Sequence, residues 1–438
     1  MQAGRIVAQA AAAVPGASSD TARVVRVSVG NFLEMYDFMV FGYYATAIGR
    51  TFFPNQSEYA SLMLSLMTFG TGYLMRPLGA LLLGAYIDHH GRRKGLLLTL
   101  GLMAVGTVSI GCTPGYRTLG LLAPLLVVAG RLVQGLSAGV EIGGVSVYLS
   151  EIAPPGRKGF FVSWQSASQQ VAVMFAASLG ILLASSLTQV QMMDWGWRIP
   201  LLVGCLLVPF LFLLRRSLEE TGEFLARKRR PEASEIWRTL AANWRLVILG
   251  MLLSTTTTVT FYLITAYMPT YGSSVLHLSS RQSMVVTLCV GLSNFVWLPV
   301  MGSLSDRIGR RPLLMTFASL ALLTAYPALA WLVGQPSFPR LLAVALWFSM
   351  IFGSYNGAMV VFLTEIMPAQ VRASAFSLAY SLATGIFGGF TPAVSTYLIH
   401  RTGDPAMPGA WLAMAGAMGL IATALLTAKR RHSAVGGM

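Results

Sequence analysis

Gly84-Ala85-Tyr86-Ile87-Asp88-His89-His90-Gly91-Arg92-Arg93 and Gly302-Ser303-Leu304-Ser305-Asp306-Arg307-Ile308-Gly309-Arg310-Arg311 are one short pattern written twice, 218 positions apart. Gly, Asp, Gly, Arg and Arg coincide at each step, and both copies lie in a polar break between long apolar runs. A second pattern recurs at almost the same interval. Glu151-Ile152-Ala153-Pro154 followed by Arg157 parallels Glu365-Ile366-Met367-Pro368 followed by Arg372. The chain thus reads as two parallel copies of one hydrophobic unit.

Composition says where such a unit can live. Hydrophobic residues make up 55% of the 438 and charged residues 11%, against about 25% charged in soluble domains. That is too little polar surface to cover a water-soluble globule of this size. It is enough apolar length for about a dozen helices of roughly 20 residues each. A net charge of +15 raises the question of nucleic acid, but the basic residues are distributed as in a membrane protein. Arg50, Arg117, Arg198, Arg281, Arg340 and Arg401 fall on one side, Arg76 and Arg131 lie inside spans, and the remaining Lys and Arg crowd into the alternate segments. The positive-inside rule makes those segments, and both termini, cytoplasmic. No cleavable signal is evident at residues 1–20. Cys112, Cys205 and Cys289 lie apart in apolar runs, without metal-ligand spacing or a disulfide framework.

The expected architecture is an all-α polytopic membrane protein, with twelve transmembrane helices in two six-helix pseudo-symmetric bundles. Spans fall near 24–50, 58–87, 95–112, 119–150, 159–186 and 197–214, then near 245–271, 281–305, 313–334, 340–366, 373–399 and 408–428. This divides the chain into a tail (1–23), a first bundle (24–214), a basic cytoplasmic linker (215–244), a second bundle (245–428) and a tail (429–438). Pro77, Pro124, Pro299 and Pro392 are compatible with the spans, because neighbouring helices can satisfy the freed backbone groups.

Each half carries a carboxylate and arginines at the cytoplasmic ends of its second and fourth helices. Glycine permits the tight turn, Asp can cap the next helix, and Arg can pair with it or with the fourth-helix Glu. Gly84, Asp88, Arg92, Glu151, Arg157, Asp306, Arg310, Glu365 and Arg372 are therefore the expected cytoplasmic gate.

Ionisable residues within spans are costly and mark function. There are five: Glu34 and Asp37 in the first helix, Arg76 in the second, Arg131 and Glu141 in the fourth. At about 1.5 Å per residue, Asp37, Arg76 and Arg131 all come out about 18–20 Å from one face or the other, close to mid-depth, where opposite charges can pair. Asp37 is the candidate proton carrier: an anionic substrate that captured Arg131 would deprive it of its partner and favour its protonation. Glu34, one turn away, either relays protons or caps local polarity, and Glu141 either relays or pairs structurally. The second half has no charge within its spans, only hydroxyls and amides such as Thr255–Thr258, Asn294, Tyr380 and Thr384. Its helices can supply substrate hydrogen bonds or hydrogen-bond one another. Candidate substrate contacts are Arg131, Arg76, Asn31, Tyr44, Gln134, Gln165, Gln169, Tyr262, Asn294, Tyr355 and Asn356. The absence of a Walker loop, His-x-x-Glu-His or Gly-x-Ser-x-Gly leaves nothing that points to an ATPase or a membrane enzyme.

Gly30-Asn31-Phe32-Leu33-Glu34 with Asp37-Phe38, Arg76-Pro77-Leu78-Gly79, Gly130-Arg131-Leu132-Val133-Gln134-Gly135 and Trp195-Gly196-Trp197-Arg198-Ile199-Pro200 resemble the metabolite–proton symporters of the major facilitator superfamily. The resemblance spans roughly residues 22–428, and Met35-Tyr36 departs from the usual filling of the Glu-x-x-Asp gap. It implies the major facilitator fold, import across the bacterial inner membrane by alternating access, and protons as coupling ion with no other cofactor. Among family members the chain is most similar to those carrying tricarboxylates (citrate or tricarballylate). Dicarboxylates, aromatic acids and betaine- or proline-like osmolytes are the alternatives. A monomer is expected, since the repeat supplies both halves of a site.

Overall fold

The structure is a computed structural model, described over residues 32–90, 92–139, 141–216, 233–368 and 371–435. Among the described residues every regular element is helical. Before residue 217 the helices of eight or more residues are α1 (Phe32–Tyr43), α2 (Ala45–Phe52), α3 (Glu58–Leu74), α4 (Arg76–His90), α5 (Arg92–Cys112), α6 (Leu122–Ala138), α7 (Glu141–Ile152), α8 (Lys158–Ser186) and α9 (Arg198–Arg216). After residue 232 they are α10 (Ala233–Ala242), α11 (Trp244–Tyr262), α12 (Ser280–Ile308), α13 (Arg310–Gly334), α14 (Phe338–Ile366), α15 (Arg372–Ala383), α16 (Thr391–Thr402) and α17 (Pro408–Val435).

Among the described residues, eight helical stretches are long and apolar enough to cross a membrane: Leu122–Ile152, Lys158–Ser186, Trp244–Val275, Ser280–Ile308, Arg310–Gly334, Phe338–Ile366, Arg372–Thr402 and Pro408–Leu426. Leu97–Cys112 and Arg198–Pro209 are shorter apolar helices. The surface is the reverse of a soluble protein's. Leu206, Leu121, Leu125, Val105 and Leu323 stand exposed, while Asp37, Arg76, Arg131, Gln134, Gln170 and Asn294 are buried. An apolar exterior, with charged and amide side chains buried among the apolar core, fits a hydrocarbon solvent.

Several spans that read as continuous are broken. The first helix is interrupted at Tyr44, and α3 gives way to α4 at Met75, with Pro77 in the first turn of the new helix. Proline is tolerated there because the first-turn N–H groups lack intrahelical partners. Wider π-type turns occupy Leu263–Tyr267, Tyr271–Val275 and Thr384–Gly388, which the side-chain pattern did not foretell. Such turns release backbone groups and re-aim side chains, and they concentrate at functional sites.

Glycine sets the packing around α6. A Cβ added to Gly135 would lie 1.6 Å from Gly72 O, one at Gly79 would lie 1.9 Å from Leu136 O, and one at Gly139 would lie 2.1 Å from Arg76 O. The backbones of α3, α4 and α6 therefore press together with no room for a methyl, and this contact sets the positions of Arg76 and Arg131. Gly135→Ala forces two backbones apart and is expected to destabilise the protein by about 1–3 kcal/mol, read as a lower melting temperature in detergent. Gly144→Ala, whose added Cβ meets nothing within 4 Å, is the matched control and leaves the melt unchanged.

Candidate functional site

Two guanidinium groups lie at the centre of the molecule, and both are fully buried. Arg76, at the start of α4, pairs with Glu34 of α1 at 2.8 Å. Its guanidinium carbon lies 4.9 Å from the Phe38 ring centroid and 4.6 Å from that of Tyr73. Arg131 of α6 donates from Nη1 to Gln134 Oε1 at 2.9 Å and from Nη2 to the Phe69 carbonyl at 3.2 Å. Phe38, Phe41 and Phe69 surround it at 4.3, 4.5 and 5.3 Å. Desolvated cation–π contacts of this kind are worth about 2 kcal/mol each. They hold Arg131 where, among the described residues, no carboxylate forms an ion pair with it.

The direct Asp37–Arg131 pair expected from their equal depth does not form. Asp37, on the helix turn after Glu34, instead accepts a hydrogen bond from Thr107 Oγ1 of α5. Thr107 Oγ1 in turn accepts one from Gln134 Nε2 at 3.1 Å. Acid and base come near each other, but two side chains separate them. Thr107 escaped the sequence reading because a threonine in an apolar helix most often bonds its own backbone, as Thr107 also does with Met103 O at 2.9 Å.

A small central cavity is lined by Met35, Arg76, Ser166, Gln169, Phe261, Tyr262, Phe352, Asn356 and Tyr380, drawn from helices on both sides of residues 217–232. Of the candidate substrate residues it gathers Arg76, Gln169, Tyr262 and Asn356. Arg76 Nε and Asn356 Oδ1 are buried without a partner, which leaves an available donor and an available acceptor on lining residues. The other candidates do not line the cavity. Tyr355 donates to Leu253 O at 2.9 Å, Gln165 accepts from Ser166, and Asn294 donates to Gln170 at 3.1 Å while accepting from Ser349. Tyr44 sits at the break in the first helix, and Gln134 is committed to Arg131 and Thr107. The Thr255–Thr258 run mostly turns its hydroxyls to helix carbonyls, with Thr256 reaching Ala415 O of α17 at 2.7 Å. Asn31 lies outside the described residues, as does the side chain of Glu141.

The second copy of the duplicated motif forms a lock. Arg310 bridges Asp306 at 2.7 Å and Glu365 at 3.1 Å. The Asp306 carboxylate also accepts the backbone N–H groups of Gly159 at 2.8 Å and Phe160 at 3.0 Å. An anion thus sits on the free N–H groups at the start of α8, where the helix dipole favours it. Gly302 and Gly159 touch backbone to backbone beside it. Gly309 closes the motif at φ +91°, a conformation that favours glycine. In the first copy, Gly84, Asp88 and Arg92 lie on α4 and α5, with side chains outside the described ones. Among the described residues Glu151, Arg157 and Arg372 form no ion pair, and Arg157 lies over the Phe160 ring at 5.6 Å.

At the opposite end, Tyr59 and His400 stack with ring centroids 3.8 Å apart, and Thr270 donates to Gly42 O at 3.4 Å. Early and late helices therefore touch both at the motif and at this second place.

The family model described as Major Facilitator Superfamily matches residues 27–379 and again 276–436. The chain is 59% identical to the citrate-proton symporter of Salmonella typhi, with 92% of this chain and 93% of that protein covered. It is also 59% identical to the citrate-proton symporter of Klebsiella pneumoniae, over 94% of this chain and 92% of the relative. The solved structure of a D-xylose-proton symporter superposes with a TM-score of 0.74 at 19% identity, covering 92% of this chain and 96% of the other.

Replacing Asp306 with Ala removes the acceptor for the Gly159 and Phe160 amides. The loss is expected to cost about 1 kcal/mol, as for other helix caps, and to raise hydrogen–deuterium exchange at the start of α8. Unchanged exchange there would mean that the carboxylate does not hold this end shut.

Proposed function

The chain belongs to the major facilitator superfamily, and on that premise we propose that it is a proton-coupled symporter importing citrate across the bacterial inner membrane by alternating access. Twelve spans form two six-helix bundles, 24–214 and 245–428, joined by the cytoplasmic linker 215–244. The tails 1–23 and 429–438 are cytoplasmic, and the protein works as a monomer. The end closed by Asp306 and Arg310 is then the cytoplasmic one, and the Tyr59–His400 end faces outward.

The central cavity is the observation that carries the proposal. It places a buried arginine with an unpartnered Nε–H beside amides, hydroxyls and aromatic rings contributed by both bundles. A citrate carboxylate takes the Arg76 donor, and Gln169, Tyr262 and Tyr380 supply further hydrogen bonds. Asn356 Oδ1 offers an acceptor for citrate's hydroxyl, a group that tricarballylate lacks. The relatives' description as citrate-proton symporters supports the same substrate.

Protons supply the driving force, with no other cofactor, and Asp37 carries one. Moving a negative charge inward against an inside-negative potential costs about 2.3 kcal/mol per 100 mV, about 7 kcal/mol for a trianion. Uniport would therefore exclude citrate, and accumulation requires several protons or a partly protonated substrate. A zwitterionic osmolyte is the second reading, favoured by the buried Glu34–Arg76 pair, whose arginine lines the cavity.

Purified protein in liposomes should accumulate labelled citrate under an imposed inward proton gradient. Tricarballylate should compete and proline should not; inhibition by proline instead would favour the osmolyte reading. Asp37→Asn should lower gradient-driven accumulation by about two orders of magnitude, the lower range for loss of a proton-transfer group. It should leave citrate–citrate exchange running. Full accumulation by that variant would remove Asp37 from the coupling.

A further inference from the structure

We propose that Thr107 is a positioning residue whose single hydroxyl proton couples the protonation of Asp37 to Arg131 through Gln134. The inference rests on the chain being a proton symporter, and it assigns the connection between proton site and arginine to a side chain on a third helix.

Thr107 is fully buried. Its Oγ1 donates to Asp37 Oδ2 and also lies 2.9 Å from Met103 O. Gln134 Nε2 donates to the same oxygen at 3.1 Å, and Gln134 Oε1 accepts from Arg131 at 2.9 Å. The other carboxylate oxygen, Asp37 Oδ1, is buried without a partner. It faces α9 so closely that a Cβ added to Gly204 would lie 2.7 Å away. Thr107 is therefore the only hydrogen-bond donor to this carboxylate among the described residues. The charged and titratable groups facing Asp37 are Arg131 of α6, Cys205 of α9 and Tyr36 of its own helix.

A hydroxyl has one proton and here has two acceptors. With Asp37 ionised, that proton points at the carboxylate, and the chain Asp37–Thr107–Gln134–Arg131 is polarised in one direction. With Asp37 protonated, the acid donates to Thr107 Oγ1 and the threonine proton turns to Met103 O. The threonine oxygen then accepts from both Asp37 and Gln134. Sharing that oxygen weakens the bond that orients the Gln134 amide, and with it the hold of Gln134 Oε1 on Arg131. Bonds in such chains polarise one another, so a change at one end is felt at the other. Protonation thus loosens Arg131 without any direct ion pair to break.

The test measures citrate binding and gradient-driven citrate uptake against pH in proteoliposomes for wild type, Thr107→Val and Thr107→Ser. Valine keeps the shape and removes the hydroxyl. Losing the donor to ionised Asp37 favours the protonated form, so half-maximal binding should move up by about one pH unit, a tenfold change in proton concentration. Serine should restore the wild-type midpoint, a rescue that a purely packing role would not give. A valine profile that matches wild type, or a serine profile displaced like valine's, overturns the proposal. If Thr107→Val does not fold, Gln134→Leu cuts the same chain, and a wild-type pH profile in that variant overturns it equally. Absence of citrate uptake by wild type is a different failure, since it removes the function on which the relay rests.

Discussion

A guanidinium group moved from water to the middle of a bilayer must be given anions, carbonyls or aromatic faces there, and this chain buries two of them within a few helices of each other. The two are neutralised by different means. Arg76 has a carboxylate, Glu34, in direct contact. Arg131 has a carbonyl, an amide and three phenylalanine rings. Only the first arrangement is a closed ion pair. The second leaves its charge without a counter-ion, because aromatic faces and neutral acceptors offset part of the desolvation cost but not the charge itself. The glycine contacts of α3 and α4 with α6 follow from this requirement, since only bare backbones bring both arginines to the Phe38 ring.

The early and late helices are joined at two places by contacts of different physical kinds. At the motif end, a carboxylate caps the start of α8 and an arginine bridges it to Glu365. At the other end, a tyrosine–histidine stack and a long hydroxyl–carbonyl hydrogen bond join the two sides. Charge-assisted hydrogen bonds are roughly twice as strong as neutral ones, so the motif end is the more firmly fastened. A bound substrate can shift the balance between open states only by its differential affinity for them. Fastenings of a few kcal/mol are within its reach.

Much of this was legible in the sequence, and the particular residues show why. The repeat of Gly84–Arg93 at Gly302–Arg311 announced a duplicated unit because turn glycine and paired charges in an apolar chain have few other uses. That Asp37 and Arg131 come near each other followed from counting residues. Their actual connection did not, because it runs through Thr107, whose hydroxyl is indistinguishable in sequence from a dozen others bonded to their own helices. Tyr355 and Asn294, read as candidate substrate contacts, bond other helices in this structure. A buried hydroxyl or amide is either a ligand contact or a helix-to-helix bond, and only its neighbours decide which. The breaks at Tyr44 and Met75 were equally hidden, since an apolar run keeps its hydropathy across a kink.

The distribution of charge between the two sides bears on how the cavity can work. Among the described residues, the buried charged side chains near the cavity belong to α1, α4 and α6, whereas the late helices face it with Phe261, Tyr262, Phe352, Asn356 and Tyr380. A substrate carboxylate that meets Arg76 gains most of its electrostatic energy from one side, and the other side gains only neutral hydrogen bonds and ring contacts. Such a ligand stays with the charged side when the two sides move apart. The neutral side can then release and re-form its contacts at modest cost, about 0.5–1.5 kcal/mol for each hydrogen bond. In the threonine run of α11, Thr255, Thr256 and Thr258 are satisfied by carbonyls of α11 or α17, and Thr257 Oγ1 is the one hydroxyl of the run left buried without a partner.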